Sequence, residues 1–275
     1  MTTSAHVHTE GADIYYDYEG AGPLLLTIAG GGGDAPRYAP ISQILKNQYT
    51  VVRYDRRGNS RSATATSSKF NIAQQARDAA AIVKAMGVKN AYIFGNSGGA
   101  NVGLKLAEDS PELVKGLVAH EPPALLLLPD AEKWIAFNTR VEVEFAEHGT
   151  MPAMKLFGSE LVGFGAVKQG PGGGLDQSKN LEYFLAHEFH DIGRYLPDLK
   201  AIRKSGVSVI MAVGRASKEA YYVRTARIIA ERLECPLVEM EGNHLAFMID
   251  PPTFARELRE MLQAFAKPKA SALSA

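Results

Sequence analysis

The chain has 275 residues, of which 46% are hydrophobic, so it can bury one substantial core. Thirty lysines and arginines balance thirty aspartates and glutamates, and the net charge is zero. This balance gives no support to binding of nucleic acid or of an acidic membrane, and we expect a small neutral molecule as the partner. The single cysteine, Cys235, excludes an internal disulfide and a multi-cysteine metal site, and we expect it in the core at the start of a strand.

The N-terminal segment lacks the basic start and the continuous apolar stretch of a secretory signal. No run in the chain approaches the roughly 18 apolar residues of a membrane span. We therefore expect a cytoplasmic protein, with His6 and His8 in a mobile N-terminal segment and residues 267–275 as a disordered tail. The oligomeric state is left open, and a homodimer is compatible with the sequence.

Apolar runs separated by turn residues predict a sheet with helices between its strands. We expect strands at residues 14–18, 24–28, 50–54 and 91–94 and a helix at 72–86. The first two strands should form a hairpin, because a glycine-rich turn separates them. The second is apolar throughout, which is typical of a central strand covered on both faces. Asn71 is in position to cap the helix.

The later part of the chain predicts strands at 113–119, 207–213 and 236–240, with helices at 217–233 and after Pro252. Between them, helices are expected at 131–147, 152–162 and 180–190, with a glycine-rich stretch at 170–174 and no strand. Helices without intervening strands favour a lid inserted into the sheet. We predict an α/β core domain of residues 1–124 and 205–275, and a helical lid at 125–204.

Residues 95–99, Gly-Asn-Ser-Gly-Gly, form a G-x-S-x-G motif between a predicted strand and a predicted helix. This is the context of a nucleophile elbow, in which the serine lies on a tight turn and small neighbours avoid a collision between strand and helix. The alternative is a glycine-rich turn with an exposed serine. We favour the elbow, which makes Ser97 the candidate nucleophile and requires a base, an acid and an oxyanion site elsewhere.

Two other turns follow predicted strands. Four glycines at residues 30–33 could direct backbone N–H groups at a developing negative charge or at a phosphate, or could form a flexible loop. The phosphate interpretation is weak because no Gly-Lys-Ser/Thr follows. We interpret Arg56 and Arg57, which follow the strand at 50–54, as solvated or ion-paired surface residues rather than as an anion clamp.

Histidine is the side chain whose pKa suits proton exchange with a serine hydroxyl. His244 follows the last predicted strand and should reach the edge of the sheet where Ser97 is expected, so we select it as the base. His120 ends another strand, but we expect its side chain to point away from that of Glu121. The other histidines lie in the N-terminal segment or the predicted lid: His6, His8, His148, His187 and His190.

The segment His187-Glu188-Phe189-His190 resembles a metal motif only superficially. It is not the H-E-x-x-H of zinc hydrolases, and no further ligand is identified. We predict no metal site and no cofactor, and regard a zinc hydrolase as a minor alternative.

The acid is the least obvious member of the site. An acid is usual in the turn after the strand at 207–213, but residues 214–218 contain no carboxylate. Glu219 follows that turn at the start of a predicted helix, where an acidic residue is ordinary. Glu121 ends the strand that should neighbour the elbow strand in a parallel sheet, within hydrogen-bond reach of the base. We favour Glu121 and keep Glu219 as the alternative.

The order of the motifs strand-G-N-S-G-G-helix, Y-D-R-R-G-N-S-R-S, H-E-P-P and G-N-H resembles the α/β-hydrolase superfamily over essentially the whole chain apart from the predicted lid. H-E-P-P and V-G-R-A-S-K-E-A-Y-Y further resemble zearalenone lactone hydrolases and their bacterial relatives. The resemblance implies an α/β-hydrolase fold and a triad of Ser97, His244 and Glu121. It also implies oxyanion donors in the backbone N–H groups of Gly98 and, from the glycine run, Gly31.

These residues predict a cofactor-free serine hydrolase that cleaves a carboxylic ester or lactone. One alternative is a small-molecule receptor that retains the triad and uses slow turnover to close its lid onto a partner. Another is cleavage of a carbon–carbon bond with the same triad. Haloalkane dehalogenase and epoxide hydrolase chemistry are disfavoured, because a resemblance to either would require aspartate in place of Ser97.

Overall fold

The computed structural model describes residues 1–62, 70–164 and 177–266. Within these ranges, strands form one sheet, and their bounds are β1 (Thr3–Thr9), β2 (Ala12–Glu19), β3 (Leu24–Ile28), β4 (Thr50–Tyr54), β5 (Ala91–Asn96), β6 (Val114–His120), β7 (Val209–Gly214) and β8 (Leu237–Met240). The order across the sheet is β1-β2-β4-β3-β5-β6-β7-β8. The β1–β2 and β2–β4 pairs are antiparallel and all others are parallel, which confirms the predicted mostly parallel sheet.

Helices cover both faces of the sheet, and their bounds are α1 (Ala39–Leu45), α2 (Ile72–Ala85), α3 (Gly98–Asp109), α4 (Ala131–His148), α5 (Thr150–Gly158), α6 (Gln177–Tyr183), α7 (Phe189–Arg194), α8 (Leu199–Ser205), α9 (Tyr221–Leu233), α10 (Ala246–Ile249) and α11 (Pro251–Ala264). None of the helices in the described part of the chain is long and apolar enough to span a membrane.

The side-chain pattern of β3 explains its place at the centre of the sheet. Leu25 packs into the core cluster that contains residues of α1, α10 and α11, whereas Leu24, Leu26 and Ile28 pack into the cluster on the opposite face. A strand covered on both faces needs no polar alternation. The continuous apolar run therefore predicted a central strand correctly.

Local chemistry sets the predicted helix ends. The Asn71 side chain accepts hydrogen bonds from the N–H groups of Ala73 at 2.8 Å and Gln74 at 3.3 Å, which caps α2. Apolar residues one turn apart on α11, Phe254, Leu258 and Leu262, are all buried in one cluster. The predicted cap and the predicted helix after Pro252 are confirmed.

The N-terminal segment departs from the prediction. Residues expected to be mobile, His6 and His8 among them, form the edge strand β1, which pairs with β2 along its whole length. Glu10 and Gly11 join the two strands with positive φ angles of 42° and 77°, as a tight hairpin turn requires. The prediction failed because β1 is a largely polar edge strand with little apolar alternation.

A second correction concerns the hairpin expected between β2 and β3. These strands are not neighbours, since β4 lies between them and pairs with both. The glycine-rich turn instead packs against the segment after α1, where the Ala21 N–H donates to the Lys46 carbonyl.

Cys235 also differs from the prediction, because it precedes β8 and is only partly buried.

The chain between β6 and β7 contains helices α4 to α8 and, among its described residues, no strand. The helix predicted at 180–190 belongs to a longer helical run in which a π-helical turn, Phe184–Glu188, joins α6 to α7. The predicted glycine-rich stretch at 170–174 and the tail at 267–275 lie outside the described residues. The division into a core and a lid at 125–204 stays a prediction.

Candidate active site

Ser97 lies in the turn between β5 and α3 in a strained conformation, with φ 55° and ψ −127°. A Cβ on Gly95 would lie 2.3 Å from the Gly99 carbonyl oxygen, and one on Gly99 would lie 2.0 Å from that of Ile28. Neither position can hold a side chain, which is the physical reason for both glycines of the motif. Ser97 is partly exposed although its neighbours are buried. This is the geometry of a nucleophile elbow.

His244 and Glu121 meet at the carboxyl edge of the sheet. His244 follows β8, and its Nδ1 lies 2.7 Å from Oε2 of Glu121, which follows β6. The two residues are 3% and 0% exposed, respectively, and the second carboxylate oxygen of Glu121 accepts a hydrogen bond of 2.8 Å from the Gly214 N–H. Burial alone would raise the pKa of Glu121, but the neighbouring histidine rings and these hydrogen bonds hold it below its ordinary value.

The second candidate acid lies elsewhere. The Glu219 side chain is 71% exposed and forms an ion pair with Arg227 at 2.7 Å. Of the two carboxylates weighed from the sequence, the structure therefore brings Glu121 to the histidine and leaves Glu219 on the surface.

Two hydrogen bonds to backbone carbonyls connect the turn that contains Ser97 with the segments that carry Glu121 and His244. The Ser97 N–H donates to the His120 carbonyl at 2.9 Å, and Nδ2 of Asn96 lies 3.3 Å from the His244 carbonyl. The Ser97 hydroxyl makes no hydrogen bond to His244 within the described residues. The structure thus brings Glu121 and His244 together and places Ser97 at the same edge of the sheet.

His120 is a fully buried neighbour of this pair. Its Nδ1 lies 2.8 Å from Nδ2 of Asn96, and its ring centroid is 6.2 Å from that of His244. Burial lowers the pKa of His120 to about 4, so the ring is neutral at neutral pH. The side chain points to Asn96 rather than to the carboxylate of Glu121, as the sequence predicted.

The glycine run leaves room for close contacts with both Ser97 and the helical segment between β6 and β7, here called the insertion. A Cβ on Gly30 would lie 2.9 Å from Cβ of Ser97, and one on Gly31 would lie 2.3 Å from the Phe184 ring. A Cβ on Gly98, the first residue of α3, would likewise lie 2.9 Å from the Ile192 side chain. Side chains from the inserted helices therefore lie directly on both glycines predicted to be oxyanion donors.

The structure corrects the interpretation of the two arginines after β4. Both are ion-paired, but neither is a surface residue: Arg56 is 1% exposed and contacts Glu188 at 2.6 Å, and Arg57 is 6% exposed and contacts Asp78 at 2.6 Å. Glu188 comes from the π-helical turn of the insertion. No local pattern could have indicated a partner so distant in the chain.

The histidines on either side of Glu188 do not share its environment. His187 is exposed beside Tyr183, and Nδ1 of His190 lies 3.1 Å from Glu142. Glu188 turns into the protein toward Arg56 instead. Across the described ranges, no group of three or more histidine, cysteine or acidic residues has an arrangement that could hold a metal ion.

Sequence reasoning also missed Tyr222 as a neighbour of His244. Its ring centroid lies 4.4 Å from that of His244, and its hydroxyl accepts a hydrogen bond of 3.0 Å from the Val162 N–H in the insertion. Burial raises the pKa of Tyr222 to about 12, so the hydroxyl stays protonated. The sequence offered only the segment E-A-Y-Y, with no signal that one tyrosine packs on the histidine.

This combination of sheet, elbow and histidine–carboxylate pair agrees with the comparison to known families. The profile of the alpha/beta hydrolase fold family matches residues 23–166. The chain belongs to that family, and a hydrolase activity follows from this membership and from its hydrolase relatives.

Individual relatives support the same class. The chain is 33% identical over 267 residues to the uncharacterized hydrolase YraK of Bacillus subtilis strain 168, covering 92% of this chain and 93% of that protein. It is 36% identical over 112 residues to RutD of Azorhizobium caulinodans, to which carbamate hydrolysis is provisionally assigned, covering 41% of this chain and 42% of RutD. A thermophilic esterase from Thermogutta terrifontis has a similar fold, with a TM-score of 0.77 at 17% identity over 96% of this chain and 100% of the esterase.

Proposed function

We propose that the protein is a cofactor-free serine hydrolase that cleaves a carboxylic ester or lactone through an acyl-enzyme. The observation that carries the proposal is the buried 2.7 Å contact between His244 and Glu121 at the sheet edge where Ser97 occupies its strained turn. In this proposal Ser97 is the nucleophile, His244 the general base and Glu121 the acid that orients the base. The assignment follows the general logic of serine–histidine–carboxylate triads.

The steps follow from the hydrogen-bonding capacity of each group. Glu121 accepts the Nδ1–H of His244, which leaves Nε2 unprotonated and able to take the hydroxyl proton of Ser97. The serine oxygen then bonds to the carbonyl carbon, and His244 returns the proton to the leaving alcohol oxygen. A water molecule, deprotonated by the same nitrogen, then bonds to the acyl carbon. The bond from that carbon to the serine oxygen breaks, and His244 returns the proton to the serine oxygen, which releases the acid and restores Ser97.

The tetrahedral intermediate needs hydrogen-bond donors for its oxyanion. We propose the backbone N–H groups of Gly31 and Gly98. Gly98 begins α3, where the first N–H groups have no intrahelical acceptor and the helix dipole favours negative charge. The Gly31 N–H has no hydrogen-bond acceptor within the described residues.

We further propose that residues 125–204 act as a lid over this site, as the contacts of Phe184 and Ile192 with Gly31 and Gly98 suggest. Such a cover would exclude water and present apolar side chains to the substrate. An apolar cover favours an uncharged ester or lactone, in agreement with the zero net charge of the chain.

A fluorophosphonate probe tests the nucleophile directly. We expect covalent labelling of the wild-type protein at Ser97, no labelling of Ser97→Ala, and loss of ester hydrolysis in the same variant. Equal labelling of the two proteins, or full activity of Ser97→Ala, would refute the proposal.

Substrate class requires a separate experiment. Initial rates should be measured on esters and lactones of graded size, with a carbamate included because of the name given to RutD and a diketone included for carbon–carbon cleavage. We expect esters or lactones to be hydrolysed fastest, with turnover above about one per second on the best of them. Slower turnover on every compound would favour the receptor alternative.

A further inference from the structure

The guanidinium of Arg56 lies between the glycine run and the inserted helices. Its Nη2 donates to the Gly30 carbonyl at 2.9 Å and to Oε2 of Glu188 at 2.6 Å, and its Nη1 donates to Gln75 at 3.2 Å. A Cβ on Gly33 would lie 2.4 Å from Nε of Arg56, so only glycine leaves room for this side chain. The arginine therefore joins the glycine run to the insertion.

Glu188 holds this guanidinium in place. Its other carboxylate oxygen, Oε1, accepts a hydrogen bond of 2.9 Å from Asn59, and the side chain is completely buried. Burial acts to lower the pKa of Arg56, but the charge and hydrogen bond of Glu188 outweigh it and raise the pKa overall. The pair is a charge-assisted contact between a fixed carboxylate and a planar, permanently charged donor.

Peptide geometry connects this contact to the reaction centre. The Gly30–Gly31 peptide is trans, so its C=O and its N–H point in opposite directions. Arg56 holds the carbonyl on its own side of the loop, and the Gly31 N–H is consequently turned away from Arg56. Gly30 packs against Cβ of Ser97 at this point, and the Gly31 N–H has no protein acceptor among the described residues.

We propose that Arg56 is a positioning residue for the oxyanion hole: by holding the Gly30 carbonyl, it directs the Gly31 N–H toward the oxygen of the substrate bonded to Ser97. Glu188, supplied by the insertion, keeps Arg56 in that position. The inference rests on the proposed serine hydrolase function. It predicts that disturbing Arg56 weakens binding of the transition state more than binding of the substrate.

Arg57 provides a matched control. It is also a buried arginine paired with a carboxylate, Asp78, and it also donates to backbone carbonyls. Those carbonyls belong to Thr9 and Glu10 at the β1–β2 turn, at 2.9 and 3.1 Å. Replacing Arg57 thus removes the same kind of interaction from the β1–β2 turn instead of from the glycine run.

The experiment compares Arg56→Lys with Arg57→Lys and Ser97→Ala. Lysine keeps the charge beside each carboxylate, but its single ammonium group cannot reproduce the several fixed contacts of a guanidinium. Rates are measured on the p-nitrophenyl ester, from acetate to octanoate, that the wild-type protein hydrolyses fastest. Inhibition by 2-phenylethylboronic acid is measured in parallel, because its serine adduct places an oxygen in the oxyanion hole. Should Arg56→Lys fail to fold, the double variant Arg56→Gln/Glu188→Gln, which leaves no buried charge unpaired, takes its place.

We expect Arg56→Lys to lower kcat by about 10- to 100-fold, less than the loss of an entire oxyanion donor, with KM within about threefold of wild type. The boronate inhibition constant should rise by a similar factor, while Arg57→Lys leaves both quantities near wild type. Equal kcat in the two arginine variants, a change confined to KM, or an unchanged boronate constant would overturn the inference. If Ser97→Ala keeps wild-type activity, or the wild-type protein cleaves neither these esters nor the lactones of the substrate series, the proposed function itself fails.

Discussion

Replacement of Glu121 by glutamine tests the least expected member of the proposed triad. The carboxylate accepts two hydrogen bonds, from Nδ1 of His244 at 2.7 Å and from the Gly214 N–H at 2.8 Å. A glutamine has one carbonyl oxygen and one NH₂ group, so it cannot accept both with separate oxygens. The Gly214 N–H is a fixed donor and will take the carbonyl, which leaves the NH₂ group facing His244.

This arrangement selects the unproductive tautomer of the base. With a donor facing Nδ1, His244 will carry its proton on Nε2, the nitrogen that must accept the proton of Ser97. The comparable acid-to-amide change in the serine-protease triad lowers kcat by about 10⁴-fold. We therefore expect Glu121→Gln to lower kcat by about four orders of magnitude, which corresponds to about 5 kcal/mol of activation free energy.

The assay is steady-state hydrolysis of the best ester, with Glu219→Gln as the control. Glu219 is 71% exposed and paired with Arg227, so its replacement should change kcat/KM by less than about twofold. Thermal unfolding of all proteins separates loss of catalysis from loss of fold. The assignment of the acid is wrong if Glu121→Gln retains more than about a tenth of the wild-type rate. It is also wrong if Glu219→Gln lowers the rate more than Glu121→Gln does.

Further predictions concern stability. Burial lowers the pKa of His120 from 6.5 to about 4, so below pH 6.5 the unfolded chain binds a proton that the folded chain does not. As the pH is lowered from 6.5 to 4, this residue should therefore decrease the free energy of unfolding by about 3 kcal/mol. Urea titrations across this pH range should show that His120→Gln removes this part of the pH dependence, and an unchanged pH dependence in the variant would contradict the argument. Asn71→Ala should lower the free energy of unfolding by about 1 kcal/mol through loss of the α2 cap, and a neutral effect would mean that the cap contributes little. Gly99→Ala should prevent folding or lower the melting temperature strongly because its Cβ would meet the Ile28 carbonyl, whereas Gly87→Ala, with no atom within 4 Å, should cost only about 1 kcal/mol.

The strands at the centre of the sheet could be predicted because their physical signals are local. The fully apolar run of β3 and the apolar residues before Ser97 identify buried parallel strands without reference to the rest of the chain. Adjacency of β5 and β6 was sufficient to favour Glu121, since parallel strands bring their carboxyl ends to one edge. The prediction of that residue thus depended on topology, and the resemblance carried by H-E-P-P pointed to the same residue.

Other features depend on partners that local sequence does not reveal. β1 is a polar edge strand that is recognised by its pairing with β2 and not by its own residue pattern. The carboxylate that pairs with Arg56 is 132 residues away in the chain. The tyrosine on His244 is likewise brought there by α9 and anchored by Val162 of the insertion. Such contacts require the fold before they can be seen.

The segment Asp55-Arg56-Arg57 shows how neighbouring residues can serve different parts of one molecule. Both arginines are buried, both pair with a carboxylate and both donate to backbone carbonyls, but their side chains diverge to different loops. A buried ion pair contributes little net stability, because the cost of desolvating two charges offsets most of their attraction. A gain in stability alone therefore does not explain why the chain contains these two buried ion pairs. Their effect on the backbone loops to which the arginines donate explains them better. Arg57 fixes the turn that begins the sheet, and Arg56 fixes the loop beside Ser97, which is why only the second should affect catalysis.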